Sequence, residues 1–183
     1  MERISYRQLI PSDQNEYNRL RLEGLKNYPQ YFGSTFEEES LLISLRLSNA
    51  IRAADYCNFA FGAFSEKGGL AGICGFVTDT KIKTKHRGEL VQMIVDPEYK
   101  GQSIEKILLE LIIGKAFSNE QTEQITLVVA AANESAIRLY RQFGFVEYGR
   151  LENYYKSGKE YFGQCFFYLQ QRQFKQYNYL SLQ

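Results

Sequence analysis

Twice in this chain a continuous apolar run turns at once into a helix-period pattern, and that repetition constrains the fold more than any other feature. The first instance is "GELVQMIVD", residues 88–96, which meets Pro97 and passes into "YKGQSIEKILLEL", residues 99–111. The second is "QITLVVA", residues 124–130, followed by "NESAIRLYRQFGF", residues 133–145. Apolar runs of this length, bounded by turn residues, read as strands buried within a sheet. Ile104, Ile107, Leu108, Leu111 and Ile112 then recur at helical spacing. Asn133 offers an N-cap and Gly144 a terminator for the second helix. Strands that feed helices in this way require a sheet with helices packed upon it.

The remaining segments extend that plan. "ISYRQL" alternates and reads as a first strand. Ser12 and Asp13 offer caps for a helix carrying Tyr17, Leu20, Leu22 and Leu25. "STFEEESLLISLRL", residues 34–47, reads as one second helix, with Ser34 or Thr35 as its cap and acids in its first turn. "NFAFGAFS" and "LAGICGFVTD" form a hairpin around "KGG". "VEYGRLENYY" and "EYFGQCFFYL" form another around "KSGK". The expected order is β-α-α-β-β-β-α-β-α-β-β, an α/β chain with a mixed sheet and helices on both faces. With 183 residues and no linker or repeat, one domain is expected over 1–169, with a tail over 170–183. The tail aromatics Phe174, Tyr177 and Tyr179 favour packing on the domain or on a second subunit.

Composition removes several functions. A formal net charge of +1 gives no reason to expect a nucleic-acid partner. Cys57, Cys74 and Cys165 are scattered and odd in number, which fits a cytoplasmic chain. His86 is the only histidine and reads as a loop residue, so neither a zinc site nor a G-x-S-x-G triad is expected. The N-terminus does not read as a signal peptide, and the apolar runs fall far short of the roughly 20 residues a membrane span needs.

The chemistry concentrates where the two strands turn into helices. A helix start presents unpaired N–H groups and partial positive charge. Gly101 permits close backbone approach and Lys100 adds charge, so "YKGQS" fits a phosphate cradle. Alone it fits a plain helix start better. Tyr140 reads either as a core residue or as a phenol that donates a proton at the sheet edge.

Taken together, "VDPEYKGQSIEKILL" and "NESAIRLYRQFGF", about 30 residues apart, resemble the GCN5-related N-acetyltransferase (GNAT) superfamily. The likeness extends through the N-terminal strand and helices to the last hairpin. It implies a mostly antiparallel sheet of about seven strands and an acetyl-CoA-dependent transfer to a primary amine of a small molecule or protein. Both substrates would be bound together, so that proximity carries much of the rate. On the family pattern, Lys100, Gly101, Gln102, Ser103, Ile104 and Glu105 fall on the pyrophosphate loop. Met93, Ile94 and Val95 fall on the strand that pairs with the pantetheine arm and offers an N–H to the oxyanion. Asn133 matches a residue that bonds the cofactor arm, and Tyr140 matches the acid that protonates the leaving thiolate. The resemblance brings no metal, and a homodimer is compatible with it.

Three positions depart from that pattern. Ser103 stands where the family has Gly, Glu105 where it has Gly or Ala, and Gly163 near a usual acid. A carboxylate at the second position of the helix suits the dipole but competes with a diphosphate. The departures therefore admit an alternative, a non-catalytic binding or regulatory module with weakened acetyl-CoA binding. An alkylammonium must lose a proton before it attacks, and Glu89 is the candidate base, directly or through water. It reads more readily as an exposed acid at a strand edge.

Overall fold

A computed structural model of the chain describes residues 3–174. Seven strands form one sheet in the order β1-β2-β3-β4-β5-β7-β6. They are β1 (Ile4–Gln8), β2 (Phe59–Ser65), β3 (Leu70–Thr78), β4 (Arg87–Val95), β5 (Gln124–Ala130), β6 (Val146–Ser157) and β7 (Glu160–Gln170). Every neighbouring pair is antiparallel except β4 and β5. The expected fold class, strand count and hairpins are all present.

Helices cover both faces. On one, α4 (Ile104–Ser118) and α5 (Glu134–Gln142) pack on the core that contains Ile104, Leu108, Ile112, Leu127, Tyr140 and Phe167. On the other, α1 (Gln14–Asn27) and α3 (Ser48–Ala53) enclose Tyr17, Leu20, Leu47, Ile51, Ile73 and Ile94. Asp13 stands at the N-cap position of α1 but makes no cap bond. Its carboxylate instead takes the Arg7 guanidinium at 2.6 and 2.9 Å and the Ile10 N–H at 2.8 Å.

The expected single helix over 34–47 is corrected. Thr35 does cap a helix, with Glu38 completing the reciprocal box, but α2 spans only Phe36–Ser40. The chain then loops to Leu47, leaving Leu41, Leu42 and Ile43 exposed. Leu45 and Leu47 are buried, and the Leu47 N–H donates to the Tyr17 hydroxyl at 3.2 Å. Burying both leucines against α1 requires a spacing that a continuous helix does not provide.

Two facts concern the tail. Phe174 is buried, with its ring centroid 5.8 Å from that of Phe117. Tyr177 and Tyr179 lie outside the described residues. Among the described residues no helix is long and apolar enough to cross a membrane, and no group of three His, Cys, Asp or Glu side chains gathers to hold a metal.

Candidate active site

The site follows from how β4 and β5 part. Their parallel pairing covers only Arg87–Glu89 against Gln124–Thr126. Beyond Glu89 the edge of β4 that faces β5 has no ladder partner, while β5 stays paired with β7 to Ala130. A bulge drives the separation. The β3–β4 register shifts between Ile73 and Gly75, and Gln92 adopts φ 54°. Left-handed backbone costs a non-glycine residue roughly 1–2 kcal/mol. The bulge is held from the α1 side, where the Tyr17 hydroxyl donates to Gln92 Oε1 at 2.8 Å. Bulges bend the strand that carries them, and here the bend opens a cleft of about 1280 Å³.

One end of the cleft is the turn into α4. Lys100, Gly101, Ser103 and Glu105 line it. Gly101 has φ +79°, and Ser103 caps α4 in the left-handed region at φ 59° without a side-chain cap bond. The Lys100 ammonium lies 4.5 Å from the centre of the Tyr28 ring. Glu105 has no hydrogen-bond or ion-pair partner among the described residues. Gln102 and Ile104 do not line the cleft, and the Ile104 side chain lies wholly in the core.

Along the middle run Met93, Ile94 and Val95 of β4, facing Val128 and Val129 of β5. Asn133 and Tyr140 of α5 also line this part. Asn133 Oδ1 accepts from the Ala136 N–H at 3.2 Å and the Ser135 hydroxyl at 3.0 Å, fixing the start of α5. The Tyr140 ring packs edge-on to Phe145, with centroids 5.8 Å apart. Its hydroxyl makes no hydrogen bond to any described residue. Burial raises its pKa far above the ordinary phenol value, and charge on Cys74 and Glu105 would raise it further. Tyr140 therefore keeps its proton across the physiological range.

Glu89 marks the other end. Its carboxylate is bound by the Arg46 guanidinium at 2.6 Å. Arg46 lies in the loop that replaced the expected second helix, so sequence periodicity concealed this partner. Residues 28–34 straddle the cleft, from Tyr28 beside Lys100 to Gly33 beside Tyr155 of β6. A Cβ on Gly33 would collide with the Tyr155 hydroxyl. Burial raises the pKa of Tyr155, as do Tyr154 and Glu89. Beneath lies a buried ion pair, Arg21 to Glu39 at 2.6 and 2.9 Å, with Arg21 Nη1 unpartnered among the described residues. Gln92, Tyr155 and the Arg21–Glu39 pair had no sequence signal, because each depends on contacts between distant segments.

Known proteins share this architecture. The sequence model of the Acetyltransferase (GNAT) family matches residues 20–145. A spermidine N(1)-acetyltransferase of Vibrio cholerae is 32% identical over 88 residues, covering 48% of this chain and 51% of the relative. N-alpha-acetyltransferase 30 of Schizosaccharomyces pombe is 32% identical over 79 residues, covering 43% and 52%. The chain thus spans about half the length of the curated relatives it matches. A GNAT-family acetyltransferase structure from Streptococcus pneumoniae superposes with a TM-score of 0.75 at 21% identity, covering 92% of this chain and 99% of the other. The Vibrio cholerae spermidine N-acetyltransferase in complex with CoA and spermine gives 0.71 at 22% identity, covering 94% and 98%. These last two likenesses are of fold. With its family match over residues 20–145 and its sheet split between β4 and β5, this chain belongs to the GNAT acetyltransferase family.

Proposed function

We propose that the protein transfers an acetyl group from acetyl-CoA to a primary amine, by direct attack with both substrates in the same cleft. The observation that carries this reading is the edge of β4, unpaired among the described residues, flanked by the Lys100–Ser103 turn at one end and Glu89 at the other, with the Tyr140 hydroxyl, likewise without a partner among them, between. The residues fit the cofactor. Lys100, the positive-φ Gly101 and the start of α4 suit a diphosphate. An added Cβ at 101 would meet no atom within 4 Å, so it is the positive φ and not crowding that calls for glycine there. The free edge of β4 suits an amide-bearing arm, as a strand edge suits any extended chain. When bound, acetyl-CoA supplies the activated thioester carbonyl and a thiolate leaving group.

The protein's own groups do the rest. Backbone N–H groups of β4 donate toward negative charge that develops on the carbonyl oxygen. Tyr140 donates its hydroxyl proton toward the departing sulfur. Its pKa lies above that of a thiol, roughly 8.5, so it keeps its proton and stabilises the developing thiolate by a hydrogen bond as the bond breaks. Glu89 takes the amine proton directly or through water, and Arg46 orients its carboxylate. Holding amine and thioester in one groove removes much of the entropic cost of their meeting.

Calorimetric titration with CoA, followed by CoA release in the presence of an amine panel, tests the reading. Micromolar binding and amine-dependent release are expected. No binding at millimolar CoA would overturn it. The second reading, a non-catalytic module with weakened binding, is favoured by one observation, Glu105 in the diphosphate end with no hydrogen-bond or ion-pair partner among the described residues. On that reading the unaltered protein fails to bind CoA, and the Ser103→Gly, Glu105→Gly double variant regains binding.

A further inference from the structure

The Glu89 end of the cleft carries information about the acceptor. We infer that the acceptor is a monoamine carried on an apolar or aromatic body, and not a polyamine. This inference rests on the acetyltransferase reading above and names the class of its second substrate.

A polycation needs carboxylates or aromatic faces free to receive several ammonium groups. Most of the carboxylates here are already engaged. Three acids line this part of the cleft, Glu38, Glu39 and Glu89. Glu38 accepts the Thr35 N–H at 2.9 Å and the Thr35 hydroxyl at 3.1 Å, both at Oε2, which fixes its place in the helix cap but leaves its charge unpaired among the described residues. Glu39 is held by Arg21 and Glu89 by Arg46, each at 2.6 Å. Of the rings, the Phe32 face already carries the Arg21 guanidinium at 4.9 Å and the Tyr28 face the Lys100 ammonium at 4.5 Å. A polyamine would enter beside two arginines, and an ammonium could reach Glu39 or Glu89 only by displacing a guanidinium.

What remains available includes an apolar, aromatic stretch. Tyr31, Phe32, Leu42 and Tyr155 line this part of the cleft. Tyr28 and Tyr31 stack with centroids 6.1 Å apart. The contact between Gly33 and the Tyr155 hydroxyl bridges the cleft from the α1–α2 connection to β6. Such a passage favours a slender apolar body that delivers one amine to Glu89. The single ammonium of such an acceptor is the one deprotonated for attack, Glu89 can receive that proton, and no further charge is left to be accommodated in the cleft.

The test uses the full chain with acetyl-CoA. CoA release is followed for phenethylamine, tyramine and hexylamine against spermidine and spermine, and each amine is also titrated into the CoA-loaded protein. The monoamines are expected to exceed the polyamines in kcat/KM by about tenfold or more, the scale of one uncompensated charge. Arg46→Ala frees the Glu89 carboxylate, and should raise spermidine use relative to phenethylamine by about three- to tenfold. Preferred turnover or tighter binding of spermidine or spermine by the unaltered protein overturns the inference while leaving acetyl transfer intact. So does a CoA-loaded protein that neither binds nor acetylates any of the monoamines. Failure to bind CoA at all overturns the acetyltransferase reading, and this inference falls with it.

Discussion

The Tyr17 hydroxyl donates to Gln92 Oε1 at 2.8 Å and accepts the Leu47 N–H at 3.2 Å, so one buried phenol ties α1 to the bulge in β4 and to the loop before α3. Tyr17→Phe keeps the ring but leaves a buried N–H and an amide oxygen unpaired. Urea unfolding should show a loss of about 1–3 kcal/mol. Because the bulge opens the cleft, CoA affinity should fall as well. An unchanged midpoint and affinity would show that Gln92 is held by its own strand.

Tyr140→Phe separates chemistry from packing. The ring stays against Phe145, and the hydroxyl has no hydrogen-bond partner among the described residues to lose. Fold and CoA binding should survive while turnover drops by roughly 10²–10⁴-fold. Turnover within a factor of two of the parent would assign Tyr140 to the core alone.

The α4 turn is built at a cost. Ser103 occupies left-handed backbone and its side chain caps nothing. Ser103→Gly should therefore raise stability by about 0.5–1 kcal/mol, the relief of strain less the extra freedom of the unfolded chain. Glu105→Gln removes an unpartnered carboxylate from the same end. Its effect should appear in affinity, with CoA binding tightened about three- to tenfold and less so at high salt. Equal affinity for both proteins would mean that the Glu105 side chain turns away from the ligand.

Breaking the Arg21–Glu39 pair should be expensive. Both side chains are about nine-tenths buried or more. Glu39→Ala strands a guanidinium already short of one partner, at a cost of about 3–5 kcal/mol. Thermal unfolding of the single variants and of a paired replacement by apolar residues checks this, since the paired replacement should recover most of the loss.

Asp13 gives an acid limb to the stability profile. Hydrogen bonds from the Arg7 guanidinium hold its carboxyl below the ordinary 3.8, against the opposing effect of desolvation, and the Ile10 N–H adds to the lowering. A depressed folded pKa contributes stability that is present above the unfolded value and lost as pH falls through the folded one. Unfolding measured from pH 6 down to pH 2 should show that loss beginning near pH 4. Asp13→Asn should be less stable at neutral pH and flatter below it.

Local pattern alone determined most of the fold. Apolar runs marked β4 and β5, alternation marked the hairpins, and Thr35, Asn133 and Gly144 marked helix ends, because each signal lies within a few residues of what it specifies. The same sequence showed that Lys100, Gly101 and Tyr140 could serve chemistry, and the tertiary structure placed them in one cleft. It did not show the break after Ser40, because burial of Leu45 and Leu47 against α1 overrides the helical spacing of that segment. Nor did it show the bulge at Gln92, whose side chain takes a hydrogen bond from Tyr17, 75 residues earlier. The partners of Glu89, Glu39 and Gly33 were likewise decided by tertiary contact. Sequence names the residues able to carry charge, but which charges are already neutralised depends on distances that only the folded chain fixes.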